Sequence, residues 1–252
     1  MILKRNRDHN VSRDDYKNPE KYGAIEVGKG NNWDNFKLLR DDIRGMTLND
    51  TLKTVKPQRV LEIGPGPGYY TRLICGYPSV EQYTAIEIGQ AFLDYLKPRL
   101  KKIKKKKFKF DLVCKEFFQA RISGEYDLIV LFSTVHHIPD RQALFTHLSN
   151  QLSKSGYIYC FDASHYLVRI IHLMKKLIFK GYLLKYYKAK EKIGTHHMCT
   201  WGEYKNIIKK INCLEIKKVI YKLPRKIKRY PWPNILKRWF SVEIGILIKR
   251  TH

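Results

Sequence analysis

No stretch of this 252-residue chain reaches the roughly 18 apolar residues expected of a membrane-crossing helix. The nearest, "YLVRIIHLMKKLIFKGYLL", is split by Lys175 and Lys176, so a spanning helix is not expected. The opening "MILKRNRDHN" lacks the apolar core of a signal peptide. Cysteine is sparse and unpaired in spacing: Cys75, Cys114, Cys160, Cys199 and Cys213 form no CxxC. That pattern argues against a disulfide scaffold and for a reducing cytosol. There is no internal repeat. Acidic residues are few, 23 against 49 Lys and Arg, leaving a net charge of +26. The excess is uneven. Residues 164–252 hold 22 basic and 4 acidic residues. A one-sided basic surface favours polyanions such as nucleic acid, anionic lipid or a phosphorylated substrate.

What is present is a globular chain, 44% apolar. From residue 59 onward, strand and helix signals alternate. Strands are predicted at "RVLEIG" (59–64), "QYTAIEI" (82–88), "KFKFDLVC" (107–114), "YDLIVLF" (126–132) and "GYIYCFDA" (156–163). Helices are predicted near 68–76, over 90–103 with Pro98 as a kink point, and over 140–152 with Asp140 as N-cap. Strands apolar on both faces, alternating with helices, predict an α/β fold: a doubly wound parallel sheet covered on both sides. Residues 164–199 read as a basic amphipathic helical insertion. Residues 200–252 read as a helix, with Thr200 and Glu203 at capping-box spacing, and two last strands. Residues 1–50 form an N-terminal extension, and 51–163 the ligand-binding core. The run "KKIKKKKFK" (101–109) reads as a solvated helix end.

The informative stretch is "VLEIGPGPGYY" (60–70). Gly64, Gly66 and Gly68 follow a strand, as in nucleotide sites, but the dinucleotide pattern GxGxxG needs a third glycine where Tyr69 stands. Pro65 and Pro67 have no N–H to offer a phosphate. Glu62 adds negative charge beside the loop. Glu87, 19 residues after Gly68, suits both hydroxyls of a ribose. Nucleoside, no phosphate and positive charge together describe S-adenosylmethionine.

At these residues the chain resembles the class I S-adenosylmethionine-dependent methyltransferases. "VLEIGPGPGYYT" looks like their first motif and "YTAIEIG" like the acidic second. "VCKEFF" stands where the family contacts adenine, which implies roles for Glu116 and Phe117. The resemblance also implies Ile88 and Phe132 as cofactor neighbours. "YDLIVLFSTVHHIPD" resembles the fourth motif, in the form common among small-molecule enzymes, and "LSKSGYIYCFD" resembles the usual loop and fifth strand, although "KSG" stands in that loop for the usual Pro-Gly-Gly. The implied fold is the Rossmann-like methyltransferase fold: a seven-stranded, mostly parallel sheet whose final strand is antiparallel.

Methyl transfer from a sulfonium demands alignment and exclusion of water more than stabilisation of new charge. An oxygen or nitrogen acceptor also calls for a base. His136 and His137, directly after the fourth strand, are the candidates. His196 and His197 are expected to line the substrate pocket, and no metal site is expected. Tyr16, Tyr22 and Trp33 are candidates for a lid over the substrate. "FSTVHH" stands where base-amino methyltransferases carry their Pro-Pro-aromatic segment, which counts against methylation of base amino groups. "RYPWPNILKRWF" and the basic helix 165–190 mix aromatic, aliphatic and cationic side chains, as at headgroup depth. The expectation is a cytoplasmic methyltransferase for a small-molecule or lipid-linked substrate, in peripheral contact with an anionic membrane. An RNA methyltransferase and a catalytically silent cofactor-binding module are the rivals.

Overall fold

Val60, Leu61, Leu128, Ile129, Val130 and Leu131 are fully buried, which only strands covered on both faces achieve. The computed structural model describes residues 42–120, 122, 124–163, 200–223, 237, 241 and 243–251. The expected lid residues Tyr16, Tyr22 and Trp33, the pair His196 and His197, and the basic segments 164–199 and 224–236 lie outside the described residues.

In chain order the elements are α1 (Ile43–Val55), β1 (Arg59–Ile63), α2 (Thr71–Gly76), β2 (Gln82–Glu87), α3 (Gln90–Lys101), β3 (Lys109–Cys114), β4 (Tyr126–Phe132), α4 (Arg141–Gln151), β5 (Leu152–Ala163), α5 (Trp201–Lys209), β6 (Leu214–Lys222) and β7 (Glu243–Arg250). Short 3-10 turns cover Phe117–Gln119 and Val135–His137. The strands form one sheet in the order β3-β2-β1-β4-β5-β7-β6. β1 to β5 pair in parallel, and β7 runs antiparallel to both neighbours. The expected seven-stranded sheet is therefore present. One face packs Leu144, Phe145 and Leu148 of α4 with Tyr204 and Ile208 of α5. The other packs Leu48 and Leu52 of α1, Leu73 and Ile74 of α2, and Leu96 and Leu100 of α3.

Local chemistry sets the element ends. Asp140 Oδ1 accepts from the Ala143 N–H at 2.8 Å, as an N-cap should. Thr200 and Glu203 close a full capping box. Pro98 lies inside α3, which continues to Lys101. Three expectations need correction. α1 crosses residue 50 and packs on the core. β3 is an edge strand and half-exposed, so it is not buried on both faces. β5 begins at Leu152, paired with Tyr126 before a register shift, so "KSG" lies in a strand and not in a loop.

The lysine run is also not wholly solvated. Lys105 Nζ donates to the carbonyls of Cys75 and Tyr77, at 3.1 and 2.7 Å, and to that of Val80. A cation thus satisfies the C-terminus of α2, where the helix dipole favours positive charge. Replacing Lys105 with Met is expected to cost about 1–2 kcal/mol, read as a lower urea midpoint. The same change at Lys104, which is exposed, should leave the midpoint unmoved.

Candidate active site

The strand order reverses between β1 and β4, and open α/β sheets bind ligands at that switch point, beyond the carboxyl ends of the strands. A cavity of about 770 Å³ lies there, lined by the loop 64–67, Glu62, Glu87, Ile88, Glu116, Phe117, Phe132, His136 and His137. The volume is typical of small-molecule sites, which run to about 300–1,000 Å³. The structure therefore brings together nearly every described residue expected at the site. Gly68 sits behind the lining and closes the loop, its N–H donating to Pro65 O at 2.9 Å.

The glycine loop holds no spare donor. The Gly64 N–H goes to Ile86 O (2.8 Å), and that of Gly66 to Glu87 Oε2 (3.0 Å). With the Gly68 bond and two prolines, every donor from 64 to 68 is spent or missing. A phosphate cradle needs convergent N–H groups, so this loop refuses phosphoryl ligands on geometry as well as composition. Gly64 and Gly66 both have positive φ, +65° and +53°. A Cβ on Gly66 would meet nothing within 4 Å, so the loop leaves open space at that point, as a closely approaching ligand requires. A Cβ on Gly64 would lie 2.8 Å from Thr134 Oγ1. Gly64→Ala is expected to lower stability by about 2 kcal/mol, read as a fall in melting temperature. Adding Thr134→Ala should return the contact's share of the loss but not the share due to backbone strain.

Two buried carboxylates flank the loop. Glu87 accepts the Gly66 N–H on one oxygen and the Gly89 N–H on the other, at 3.0 and 3.1 Å. Burial raises its pKa, which those backbone donors oppose. It therefore fastens the loop to β2 besides facing the cavity. Glu62 is 2% exposed, and its Oε2 accepts from Thr71 Oγ1 (2.8 Å) and Tyr83 Oη (2.7 Å). Burial pushes its pKa up to about 7. Burial thus works against the negative charge expected beside the loop.

Also in the cavity lining, Tyr70 stacks on Phe132 with ring centroids 4.1 Å apart. Tyr70 Oη donates to Asp42 Oδ2 at 3.0 Å. Arg44 makes a forked pair with Glu243, at 3.0 and 2.7 Å, and Lys222 bridges Glu243 and Asp42. This network ties the start of α1 to β6 and β7 and walls one side of the cavity. Ser133 takes φ +51°, a left-handed conformation unusual for a residue with a side chain, and turns the chain sharply from β4. His136 then meets Asp162 of β5, Nδ1 to Oδ1, at 2.5 Å. The expected adenine contacts divide: Glu116 is exposed at the cavity wall, while Phe117 is 5% exposed and packs against His147. Among the described residues no three His, Cys, Asp or Glu side chains gather as metal ligands.

Sequence reasoning missed Asp42, Arg44, Tyr70, Ser133 and Asp162. Asp162 alone carried a signal: a lone charge closing an otherwise apolar strand.

Comparison with known proteins agrees with this geometry. A family model described as a methyltransferase domain matches residues 36–204. A relative described as putative methyltransferase 235L, from Invertebrate iridescent virus 6, is 24% identical over 140 residues, 54% of this chain. The chain spans about half (50%) of that relative's length. Three solved structures share the fold. The S-adenosylmethionine-dependent methyltransferase of Clostridium acetobutylicum ATCC 824 superimposes with a TM-score of 0.58 at 13% identity, covering 92% of this chain and 97% of its own. The plantazolicin methyltransferase BpumL, in complex with S-adenosylhomocysteine (SAH), gives 0.57 at 15%, covering 94% and 92%. The N-methyltransferase NodS of Bradyrhizobium japonicum WM9, also with SAH, gives 0.55 at 13%, covering 84% and 90%. A loop that rejects phosphates, a fold shared with solved methyltransferases and a family match over two-thirds of the sequence lead to one conclusion: the chain belongs to the methyltransferase-domain family.

Proposed function

We propose that this methyltransferase acts on an oxygen or nitrogen of a small-molecule or lipid-linked acceptor, in the cytoplasm and in peripheral contact with an anionic membrane. The observation that carries the reading is the shared lining of the cavity. The Tyr70–Phe132 stack and the His136 imidazole share one volume with Glu62 and Glu87. In this reading Glu87 holds the ribose hydroxyls, Glu62 the ammonium, and Ile88, Glu116 and Phe117 the adenine, while Phe132 and the histidines face the acceptor. Bound S-adenosylmethionine supplies an electrophilic methyl group. The chain's own residues orient that group, exclude water and take up a proton. Ile88, half-exposed at 51%, offers the apolar surface a purine face would cover.

The membrane contact rests on the charge of residues 164–252 and their aromatic-cationic mix. No helix among the described residues is long and apolar enough to cross a membrane. Among the described residues, Cys75, Cys114 and Cys213 are free thiols, in keeping with a reducing compartment. The same basic charge favours a second reading, an RNA methyltransferase that grips phosphates. The test is incubation with methyl-labelled S-adenosylmethionine and separate lipid, metabolite and RNA fractions, alongside cosedimentation with anionic vesicles. Label in lipid or metabolite and binding to vesicles support the proposal. Label in RNA, with salt-sensitive RNA binding and no vesicle binding, selects the second reading. Tight cofactor binding with no transfer indicates a silent module.

A further inference from the structure

His136 and His137 stand side by side in one short turn, ring centroids 4.0 Å apart, and the sequence offers no way to choose between them. Asp162 makes the choice. It closes β5, is 1% exposed, and spends both oxygens on His136: Oδ1 on the ring Nδ1 at 2.5 Å, and Oδ2 on the backbone N–H at 3.1 Å. A carboxylate this deeply buried demands donors. An ionised carboxylate only accepts, so the facing Nδ1 carries the hydrogen. The lone pair of the neutral ring then sits on Nε2, on an imidazole that lines the cavity. His137 is exposed.

We propose that Asp162 is a positioning residue that makes His136, and not His137, the base for the acceptor. The inference rests on the oxygen- or nitrogen-methylation reading above. The acceptor's O–H or N–H gives its proton to His136 Nε2 as its electron pair forms the bond to the methyl carbon. The methyl–sulfur bond breaks, and its pair returns to sulfur, leaving a neutral thioether. The imidazolium is held beside the Asp162 carboxylate until water removes the proton. Asp162 thereby fixes the ring's tautomer and orientation and offsets the charge it gains, the division of labour of an orienting carboxylate and a base.

A residue that merely capped the turn would leave the tautomer to chance, so the tautomer is the readout. Long-range proton–nitrogen spectra of the full chain with SAH bound should show Nδ1 protonated and Nε2 bare in neutral His136. Asp162→Asn keeps a carbonyl for the His136 N–H but turns an amide donor toward Nδ1. The ring should then switch to Nε2–H, with SAH binding kept and label transfer reduced about 10²-fold. His137→Ala should keep the His136 tautomer. Three results overturn the inference: a wild-type Nε2–H tautomer, an unswitched ring in Asp162→Asn, or undiminished transfer by that variant. Should Asp162→Asn fail to fold, the wild-type tautomer decides alone. If the wild-type protein binds SAH and methylates nothing, the function reading falls and takes the base with it. The wrong tautomer in a protein that does transfer methyl overturns this inference only.

Discussion

Glu87→Ala is expected to weaken SAH binding on the order of 10²–10³-fold, measured by calorimetry. The carboxylate sits between two duties. Its oxygens already hold the N–H groups of Gly66 and Gly89, and in the proposed function they also accept from the ribose hydroxyls. Hydrogen bonds to a charged acceptor contribute about 1.5–3 kcal/mol each. Alanine removes the ribose pair and frees the Gly66 N–H, which loosens the loop that shapes the site. A total near 3–4 kcal/mol follows if the losses are partly shared. Glu87→Gln should be milder for the loop, since one oxygen remains, yet it discards the charge. An affinity change below about tenfold for Glu87→Ala would show that Glu87 is a loop fastener only.

Glu62→Gln is expected to move stability and cofactor affinity in opposite directions. In the unfolded chain a glutamate titrates near 4.5, whereas burial moves Glu62 to about 7 in the fold. The folded state therefore holds the proton more tightly, and ionisation works against folding. The sign follows directly. Below pH 4.5 both states are protonated and the group costs nothing. Between 4.5 and 7 the unfolded state loses its proton first and stability falls as pH rises. The cost is complete only well above 7, at most about 3–4 kcal/mol. Glutamine keeps an acceptor for the Thr71 and Tyr83 hydroxyls without the buried charge, so the unliganded variant should melt higher at pH 8 and lose most of the pH dependence between 5 and 8. If Glu62 meets the ligand's ammonium, the variant should also bind S-adenosylmethionine about tenfold more weakly. Wild-type binding should tighten from pH 6 to 8 and release protons, seen as a buffer-dependent heat. A Glu62→Gln protein that melts lower at pH 8 would contradict the burial argument. One that binds the cofactor as well as wild type would remove the ammonium contact.

Much of the fold was legible because its signals are local. Apolar runs such as "YDLIVLF" mark strands, and Asp140, Thr200 and Glu203 cap helices by hydrogen bonds within three residues. The loop was legible for the same reason, since a proline lacks its N–H in any context. The charge state of Glu62 was not legible. It depends on Tyr83, on the neighbouring strand, and on burial that no single segment creates. Lys105 was misread likewise: its three carbonyl partners lie 25 to 30 residues away.

By itself the sequence determined the order of elements from residue 59 to 163 and the lack of phosphate-binding donors in the loop, because backbone stereochemistry and hydrophobic periodicity act over a few residues, while the seven-stranded sheet entered as what the family resemblance implies. Only the tertiary structure decided which groups share the cavity and how they are charged or oriented. Asp162 reaches His136 across 26 positions because β5 lies beside β4 in the sheet. Distances across a sheet, and the loss of water that comes with burial, belong to the assembled core and to no stretch of chain alone.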